Sequence, residues 1–315
     1  MSDSVKRNVT KALVSFVFGA SEKGWHELAP LIQCPKEYQY ARVRGIARRS
    51  VVLKEALSVG SLWHVARAQW LADGRHGERW REALVEYSKQ HEAVTRKPLA
   101  PAAFATAVIL MESYVAYWSL RPTSRVLAVE YTLNPRGLTP SHPEWAWRTA
   151  RLDSIEEWRK GIWIGEAKTT SSSVARVRDI YMLHGQTLLG SCLWGLREEK
   201  KFGKLAGVLL DVIVKGNGKK PPKPAERIPL PLSEMSHALK WFPRVFQEHV
   251  MQSSMIRWDD DVERRVTSCM RPYGPCDYRA LCLRGQRGTP GFVFTDGKPI
   301  SEWKPENGKH VPPWS

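Results

Sequence analysis

The middle of the chain carries three short β-rich runs in succession, and this order constrains the fold more than any other feature of the sequence. The runs are Arg125 to Thr132, Trp145 to Ile155 and Gly161 to Ala167. Prolines separate the first two, and the charged segment Glu156 to Lys160 predicts a turn between the second and the third. The pattern therefore predicts three successive strands.

A helix and a further strand are predicted after these runs. Val174 to Leu196 supports one long helix, and Lys204 to Lys215 is rich in the β-branched residues that favour strands. A Gly/Lys/Pro loop over Lys215 to Pro231 and a helix over Ser233 to Gln252 follow. The order β-β-β-α-β predicts an α/β fold with a mixed sheet and a crossover helix.

The first hundred or so residues are predicted to be helical. Pro35 suits a first helical turn, and apolar residues recur at helical spacing over Ser58 to Leu71 and Pro101 to Trp118. A length of 315 residues favours one domain with elaborations. Within a single domain over 1–315 we expect a helical part (1–122), an αβ core (123–255), a cysteine-rich region (256–290) and a tail (291–315).

The chain is strongly basic, with 48 Lys and Arg against 32 Asp and Glu and a pI near 9.8. Such a charge predicts attraction to nucleic acid, although a basic protein that binds no polyanion stays open as the alternative. The apolar patch Ala12 to Ala20 is too short for a signal peptide, and no run approaches the ~20 residues that span a membrane. We expect a cytoplasmic, reducing location, where cysteines serve as ligands or core residues.

Two carboxylates and a lysine are predicted to converge in the sheet. Asp153 stands at the end of one predicted strand, and Glu166 and Lys168 stand two residues apart in the next. Because side chains alternate along a strand, Glu166 and Lys168 share a face, and a hairpin brings Asp153 beside them. Hard oxygen ligands with an amine suit metal-assisted phosphodiester hydrolysis, whereas the plain alternative is a solvated strand face.

The segment Arg-Leu-Asp, a hairpin and Gly-Glu-Ala-Lys-Thr-Thr resembles the core motif of PD-(D/E)XK nucleases, in particular their RecB-like branch. The resemblance extends from Cys34 to Cys282 and implies a restriction-endonuclease-like mixed sheet flanked by helices. It implies that Asp153 and Glu166 bind Mg²⁺ or Mn²⁺ and that Lys168 supports the nucleophile. The proline that often precedes the aspartate is Leu152 here.

The resemblance assigns two further residues to the metal site. RecB-like nucleases carry a Gly-x-x-x-His element whose imidazole completes the metal site, and Gly60 with His64 fits that spacing. Glu130 matches an acidic residue on the preceding strand and is expected to support the metal site. An ordinary helix histidine is the alternative for His64.

The predicted helix after Lys168 carries Gln186, at a position where the family has a glutamine followed four residues later by tyrosine. The resemblance gives this amide a part in orienting water or contacting the strand. Gly190 stands where the tyrosine is expected, so the aromatic role is vacant or is taken by Tyr181.

Four of the five cysteines are candidates for a metal site. Cys269, Cys276 and Cys282 form C-x6-C-x5-C among glycine and prolines, while Cys34 stands far upstream. Three thiols in a compact loop can converge on a metal, and burial in the core is the alternative. RecB-like iron-sulfur nucleases show this arrangement around a [4Fe-4S] cluster, and the widened spacing leaves Zn²⁺ as a second option. Cys192 is read as a core residue.

Basic and aromatic side chains suited to a nucleic-acid backbone lie in two segments. The candidates are Arg42, Arg44, Arg48 and Arg49 along one predicted helix, Lys215, Lys219, Lys220 and Lys223 in the later loop, and Tyr38 and Tyr40 as stacking residues.

The sequence thus predicts a metal-dependent deoxyribonuclease, an exonuclease on DNA ends or single strands, and the resemblance suggests recombination, repair or phage replication. No G-x-x-x-x-G-K-[ST] loop occurs, so a helicase or recombination protein would be a separate partner. A non-catalytic DNA-binding protein that keeps the cluster and a zinc-stabilised nucleic-acid-binding protein are the alternatives.

Overall fold

The computed structural model describes residues 13, 24–48, 55–95, 98–121, 124–133, 148–216, 222–223, 225–257, 262, 270–271, 274–284 and 292–294. The helices are α1 (Trp25–Gln33), α2 (Pro35–Tyr38), a π-helical segment (Gln39–Val43), α3 (Glu55–Ala72), α4 (Arg79–Thr95), α5 (Pro101–Ser119), α6 (Val174–Met182), α7 (Gly185–Arg197), α8 (Glu199–Phe202), α9 (Leu232–Met255) and α10 (Arg279–Arg284). The strands are β1 (Ile46–Arg48), β2 (Arg125–Leu133), β3 (Ala150–Trp158), β4 (Gly161–Thr170), β5 (Leu205–Val214), β6 (Glu226–Pro231), β7 (Met270–Arg271), β8 (Gly274–Pro275) and β9 (Phe292–Phe294).

The chain divides into two compact units. The first comprises Met1–Ser21 and Leu53–Phe242, and the second comprises Glu22–Val52 and Pro243–Ser315. The first unit contains the five-stranded sheet β2-β3-β4-β5-β6, and the second contains the short β-pairs.

The five-stranded sheet is mixed, as predicted. Strand β4 pairs in parallel with β5, and the other neighbours pair antiparallel. The parallel pair requires a crossover, which α6, α7 and α8 supply. The α/β class with a mixed sheet is confirmed.

Helices pack on both faces of this sheet. Alternation along β4 directs Ile164 to one face, where it lies against Gly190 of α7, and Ala167 to the other. Ala167 joins a large apolar cluster with α3, α4 and α5. Trp63 and Tyr114 belong to this cluster, with their rings 5.5 Å apart and edge to face, so the helical layer forms a buried core on that face of the sheet.

The predicted turn over Glu156 to Lys160 is too long. Only Arg159 and Lys160 form the turn, with φ angles of 48° and 63°, which suits a tight two-residue hairpin. Glu156 instead lies in β3, opposite Trp163, and is fully buried. Asp153 consequently lies inside β3 rather than at its end.

Two other predictions of secondary structure need correction. The long helix is interrupted after Met182, because Leu183 ends α6 outside the helical ladder and α7 begins at Gly185. The predicted loop before α9 contains the strand β6, whose Pro229 and Pro231 are tolerated because β6 is the last strand of the described sheet.

The second unit brings distant segments of the chain together. Strand β1 pairs antiparallel with β9, and the Tyr278 hydroxyl donates a hydrogen bond to the carbonyl of Ile46 at 2.8 Å. Tyr40, Leu281 and Phe292 pack in a small apolar cluster there. The unit thus links the segment that contains Cys34 with the segment that contains Cys276 and Cys282.

Across the part of the chain described by the structure, no helix combines the length and the apolar composition that crossing a bilayer requires.

Candidate active site

Asp153 occupies the point where two neighbouring strands separate. Ser154 and Gly165 are the pair at this end of the β3–β4 ladder. Asp153, one residue before Ser154, therefore lies just beyond the paired region. Its carboxylate accepts a hydrogen bond from the backbone N–H of Ala167 at 2.8 Å. The side chain therefore occupies the place that a backbone carbonyl would otherwise fill, and this bond fixes its orientation.

His64 and Glu130 approach Asp153 from two other elements. Nδ1 of His64, on α3, lies 3.3 Å from the Asp153 carboxylate. On β2, Val129 pairs with Ser154 and Tyr131 with Leu152, which places Glu130 opposite Asp153. Glu130 has a φ of 47°, a left-handed backbone conformation that is uncommon for a residue with a Cβ.

Glu166 is held by two neighbouring side chains. It is buried on β4, and its carboxylate forms an ion pair with Lys168, two residues along the same face. Gln186, in the first turn of α7, donates hydrogen bonds to both Glu166 oxygens at 3.1 and 3.3 Å. The structure therefore brings Asp153, Glu166, Lys168, Gln186 and His64 to one region.

The carboxylates influence one another's ionisation. Burial, together with the negative charge of Asp153, raises the pKa of Glu130 to about 7 against the opposing charge of Arg151. Burial and Asp153 also hold the pKa of Glu166 above its ordinary value, although Lys168 opposes them. Burial alone would raise the pKa of Asp153, but His64, Lys168 and Arg67 together hold it below its ordinary value. Three acidic side chains therefore lie close together in a part of the protein that water reaches poorly.

Lys168 stays protonated. Burial lowers the pKa of its amine, but the charges of Glu166 and Asp153 outweigh burial and raise that pKa above its ordinary value. The amine lies 5.3 Å from the ring centroid of Tyr181 on α6. A lysine cation over an aromatic face is stabilised there.

Gly190 lies where α7 packs against Leu152 and Ile164 of the sheet. A Cβ at Gly190 would lie 3.4 Å from Leu152 and 3.8 Å from Ile164, because α7 packs closely on the sheet. Tyr181, five residues before Gln186, is the tyrosine that contacts the site.

Beneath the site lies a buried charge network that the sequence analysis missed. Two carboxylates, Glu156 and Asp211, face three guanidinium groups. The nitrogen–oxygen separations are 2.9 Å for Arg67–Asp211, 3.1 Å for Arg75–Glu156, 2.9 Å for Arg227–Glu156 and 2.7 Å for Arg227–Asp211. Arg67 follows His64 by three residues on α3, and that spacing, which places both on one helix face, was the available signal.

The donor set suits a divalent cation in its chemistry. Three carboxylates interact with one another, and Nδ1 of His64 lies 3.3 Å from one of them, Asp153. Hard oxygen donors with one imidazole suit Mg²⁺ or Mn²⁺. Among the described residues, no group of three or more His, Cys, Asp or Glu already stands at metal-binding spacing.

The cysteines lie in both units. Cys34 and Cys276 are buried and Cys282 is half-buried, all in the second unit, whereas Cys269 lies outside the described residues. In α7, burial raises the pKa of the Cys192 thiol to about 12, so this thiol remains protonated and is a poor metal ligand.

The residues predicted to handle DNA are arranged differently from the prediction. Arg42 lies in the π-helical segment and Arg48 in β1, so the arginines do not share one helix. Tyr38 and Tyr40 are buried, at 7% exposure each, and therefore cannot stack on bases. Arg49, Lys219 and Lys220 lie outside the described residues.

Comparison with known proteins gives one family. A model of the PD-(D/E)XK nuclease superfamily matches residues 26–283, which cover most of the chain and all of the site. No curated protein matches the chain.

Proposed function

The chain belongs to the PD-(D/E)XK nuclease superfamily, and from this membership we propose that it is a metal-dependent deoxyribonuclease acting as an exonuclease on DNA ends or single strands. The observation that carries the proposal is the convergence of Asp153, Glu166 and Lys168, with His64 and Gln186 against the two carboxylates. The exonuclease assignment, and a role in recombination, repair or phage replication, rest on the RecB-like character of the motifs.

His64, Asp153 and Glu166 would hold Mg²⁺ or Mn²⁺, with Glu130 in support. When bound, such an ion polarises the scissile phosphate and acidifies a water molecule. The raised pKa of Glu130 supports this assignment, because a cation placed among crowded carboxylates relieves their repulsion.

Lys168 and Gln186 would act on the nucleophile and on Glu166. The protonated Lys168 donates hydrogen bonds and offsets the charge that develops on the phosphate oxygens. Gln186 holds both Glu166 oxygens and so fixes the orientation of that carboxylate. The Ala167 N–H does the same for Asp153.

In the second unit, Cys34, Cys269, Cys276 and Cys282 are proposed to hold a [4Fe-4S] cluster, with Zn²⁺ as the alternative. The support is that the segments carrying Cys34, Cys276 and Cys282 belong to one compact unit despite their separation in sequence. The role of the cluster would be to join the two ends of that unit.

The nuclease proposal is tested by incubating the protein with Mn²⁺ and end-labelled linear DNA, single-stranded or duplex, beside covalently closed circular DNA. We expect nucleotides to be released from the linear substrates while the closed circle stays intact. Asp153→Asn and Lys168→Met should abolish release. Activity that survives both substitutions would remove the proposed site, and cleavage of the circle would replace the exonuclease assignment with an endonuclease.

The cluster proposal is tested by anaerobic purification followed by iron, sulfide and zinc analysis. We expect a brown protein with iron and sulfide, and loss of both in Cys34→Ala and Cys276→Ala. Cys192→Ala is the matched control and should keep its iron. Colourless protein with stoichiometric zinc would show that the cysteines bind Zn²⁺ instead.

A further inference from the structure

Two large apolar side chains are exposed on the crossover helix beside the active site. Ile180, near the end of α6, is 45% exposed. Leu183, the first residue after α6, is 64% exposed. The backbone N–H of Leu183 donates a hydrogen bond to the carbonyl of Ile180 at 3.3 Å, so one closing turn keeps the two residues near each other. We refer to Ile180 and Leu183 as the α6 patch.

The α6 patch borders the catalytic groups through its sequence neighbours. Tyr181, next to Ile180, lies under the Lys168 amine at 5.3 Å. Gln186, three residues after Leu183, donates to Glu166. A strand whose phosphate reaches Lys168 and Glu166 therefore passes within reach of the patch.

Charge on this side of α6 gives the patch no net attraction for phosphate. Arg176 and Asp179 are both exposed beside it and have opposite charges. Arg178 is paired with Glu234 at 2.8 Å. The patch consequently favours an apolar ligand surface over a bare phosphate backbone.

We propose that the α6 patch packs against unpaired bases of the nucleic-acid strand that enters the active site; this rests on the proposed function. Apolar side chains pack against the faces of bases that have left the stack. A paired duplex hides the faces of its bases and presents phosphates and grooves, so it offers the patch little apolar surface. The patch therefore favours single-stranded DNA or a frayed end over intact duplex.

The experiment compares wild-type protein with an Ile180→Ser/Leu183→Ser double variant by fluorescence anisotropy. The probes are a labelled oligothymidylate and a blunt duplex with covalently closed ends, both with Ca²⁺ to prevent cleavage. We expect the double variant to bind the single strand about tenfold more weakly, because about two aliphatic contacts are lost. Binding to the closed duplex should change less than about twofold. Because an apolar contact releases no counterions, the salt dependence should stay the same.

Ile109→Ser is the matched control, since Ile109 is 51% exposed on α5, in the layer on the opposite face of the sheet. It should bind both probes as the wild type does. If the double variant does not fold, as judged by circular dichroism, Leu183→Ser alone should still weaken single-strand binding by about threefold.

Three outcomes would overturn the inference: unchanged binding of the single strand, which would favour a protein partner for the patch; an equal loss on both probes; or a change in the salt dependence. If the wild type cleaves DNA while the double variant binds normally, the inference alone fails. If the wild type neither binds nor cleaves any DNA, the proposed function fails as well.

Discussion

Arg67 and Asp211 form an ion pair of 2.9 Å in the interior of the first unit, where both side chains are almost completely buried. The Tyr114 hydroxyl donates a hydrogen bond to the same Asp211 oxygen at 2.7 Å. Because Arg67 is three residues from His64 on α3, the pair ties the helix that carries His64 to β5. The position of the imidazole beside Asp153 thus depends on the buried ion pair between Arg67 and Asp211.

Asp211→Asn should destabilise the protein by about 3–5 kcal/mol, because it leaves the guanidinium groups of Arg67 and Arg227 buried with one counter-charge fewer. The measurement is urea denaturation followed by circular dichroism. Glu157→Gln, which breaks an exposed ion pair with Arg125, is the control and should cost less than about 1 kcal/mol. Equal effects of the two substitutions would show that the buried network contributes little.

The free energy of unfolding should fall as the pH drops below about 5. The nearby arginines hold the pKa of Glu156 and Asp211 below their ordinary values, against the effect of burial. Stability from such groups is complete above their pKa in the unfolded chain, about 4, and is lost as the pH falls towards their lower pKa in the folded protein. Denaturation curves at a series of pH values measure this slope. In Asp211→Asn the slope should be shallower, and a slope equal to that of the wild type would contradict the assignment.

Gln186→Ala should lower kcat about tenfold with little change in KM, because the loss of a group that orients a ligand typically costs ten- to a hundredfold. Gln186→Glu should lower kcat further, since a second carboxylate would face Glu166. Steady-state release of labelled nucleotides measures both. Gln90→Ala, which removes a similar amide–carboxylate bond to Glu86 on exposed α4, should leave kcat unchanged. An active Gln186→Glu enzyme would exclude the proposed orienting role.

Tyr181→Leu should lower kcat about tenfold, because a cation held over an aromatic ring gains about 1–2 kcal/mol. Tyr181→Phe keeps the ring under Lys168 and should lose about threefold at most. Tyr117→Leu is the control: it removes a ring on α5 whose centroid lies 3.5 Å from the guanidinium of Arg121, and it should not affect kcat. Equal losses in the Leu and Phe variants would mean that the hydroxyl, rather than the ring, positions Lys168.

The catalytic strands could be predicted because local rules suffice for them. Alternation along β4 puts Glu166 and Lys168 on one face, and the hairpin of β3 and β4 brings Asp153 near them whatever the rest of the fold does. Gly60 and His64 were assigned through the resemblance to the Gly-x-x-x-His element of RecB-like nucleases, and both lie on α3. These relations extend over a few residues or a single pairing of strands.

The features that the sequence did not predict depend on contacts between distant segments. Glu156 resembles a turn residue, and only the arginines around it explain its burial. Arg75 and Arg227 are separated by most of the first unit, so no spacing links them. The prolines of β6 are typical of loops and are acceptable only because no further described strand pairs beyond them.

The hydrogen bond between Asp153 and the Ala167 N–H gives one side chain a part in both catalysis and the stability of the sheet, which limits how this position can evolve. Losing the carboxylate altogether would leave a buried amide without an acceptor at the point where β3 and β4 separate. A descendant that gave up catalysis but kept the fold would therefore be expected to carry asparagine at this position more readily than alanine. Asparagine keeps an acceptor oxygen, so loss of activity along that route need not cost the protein its architecture.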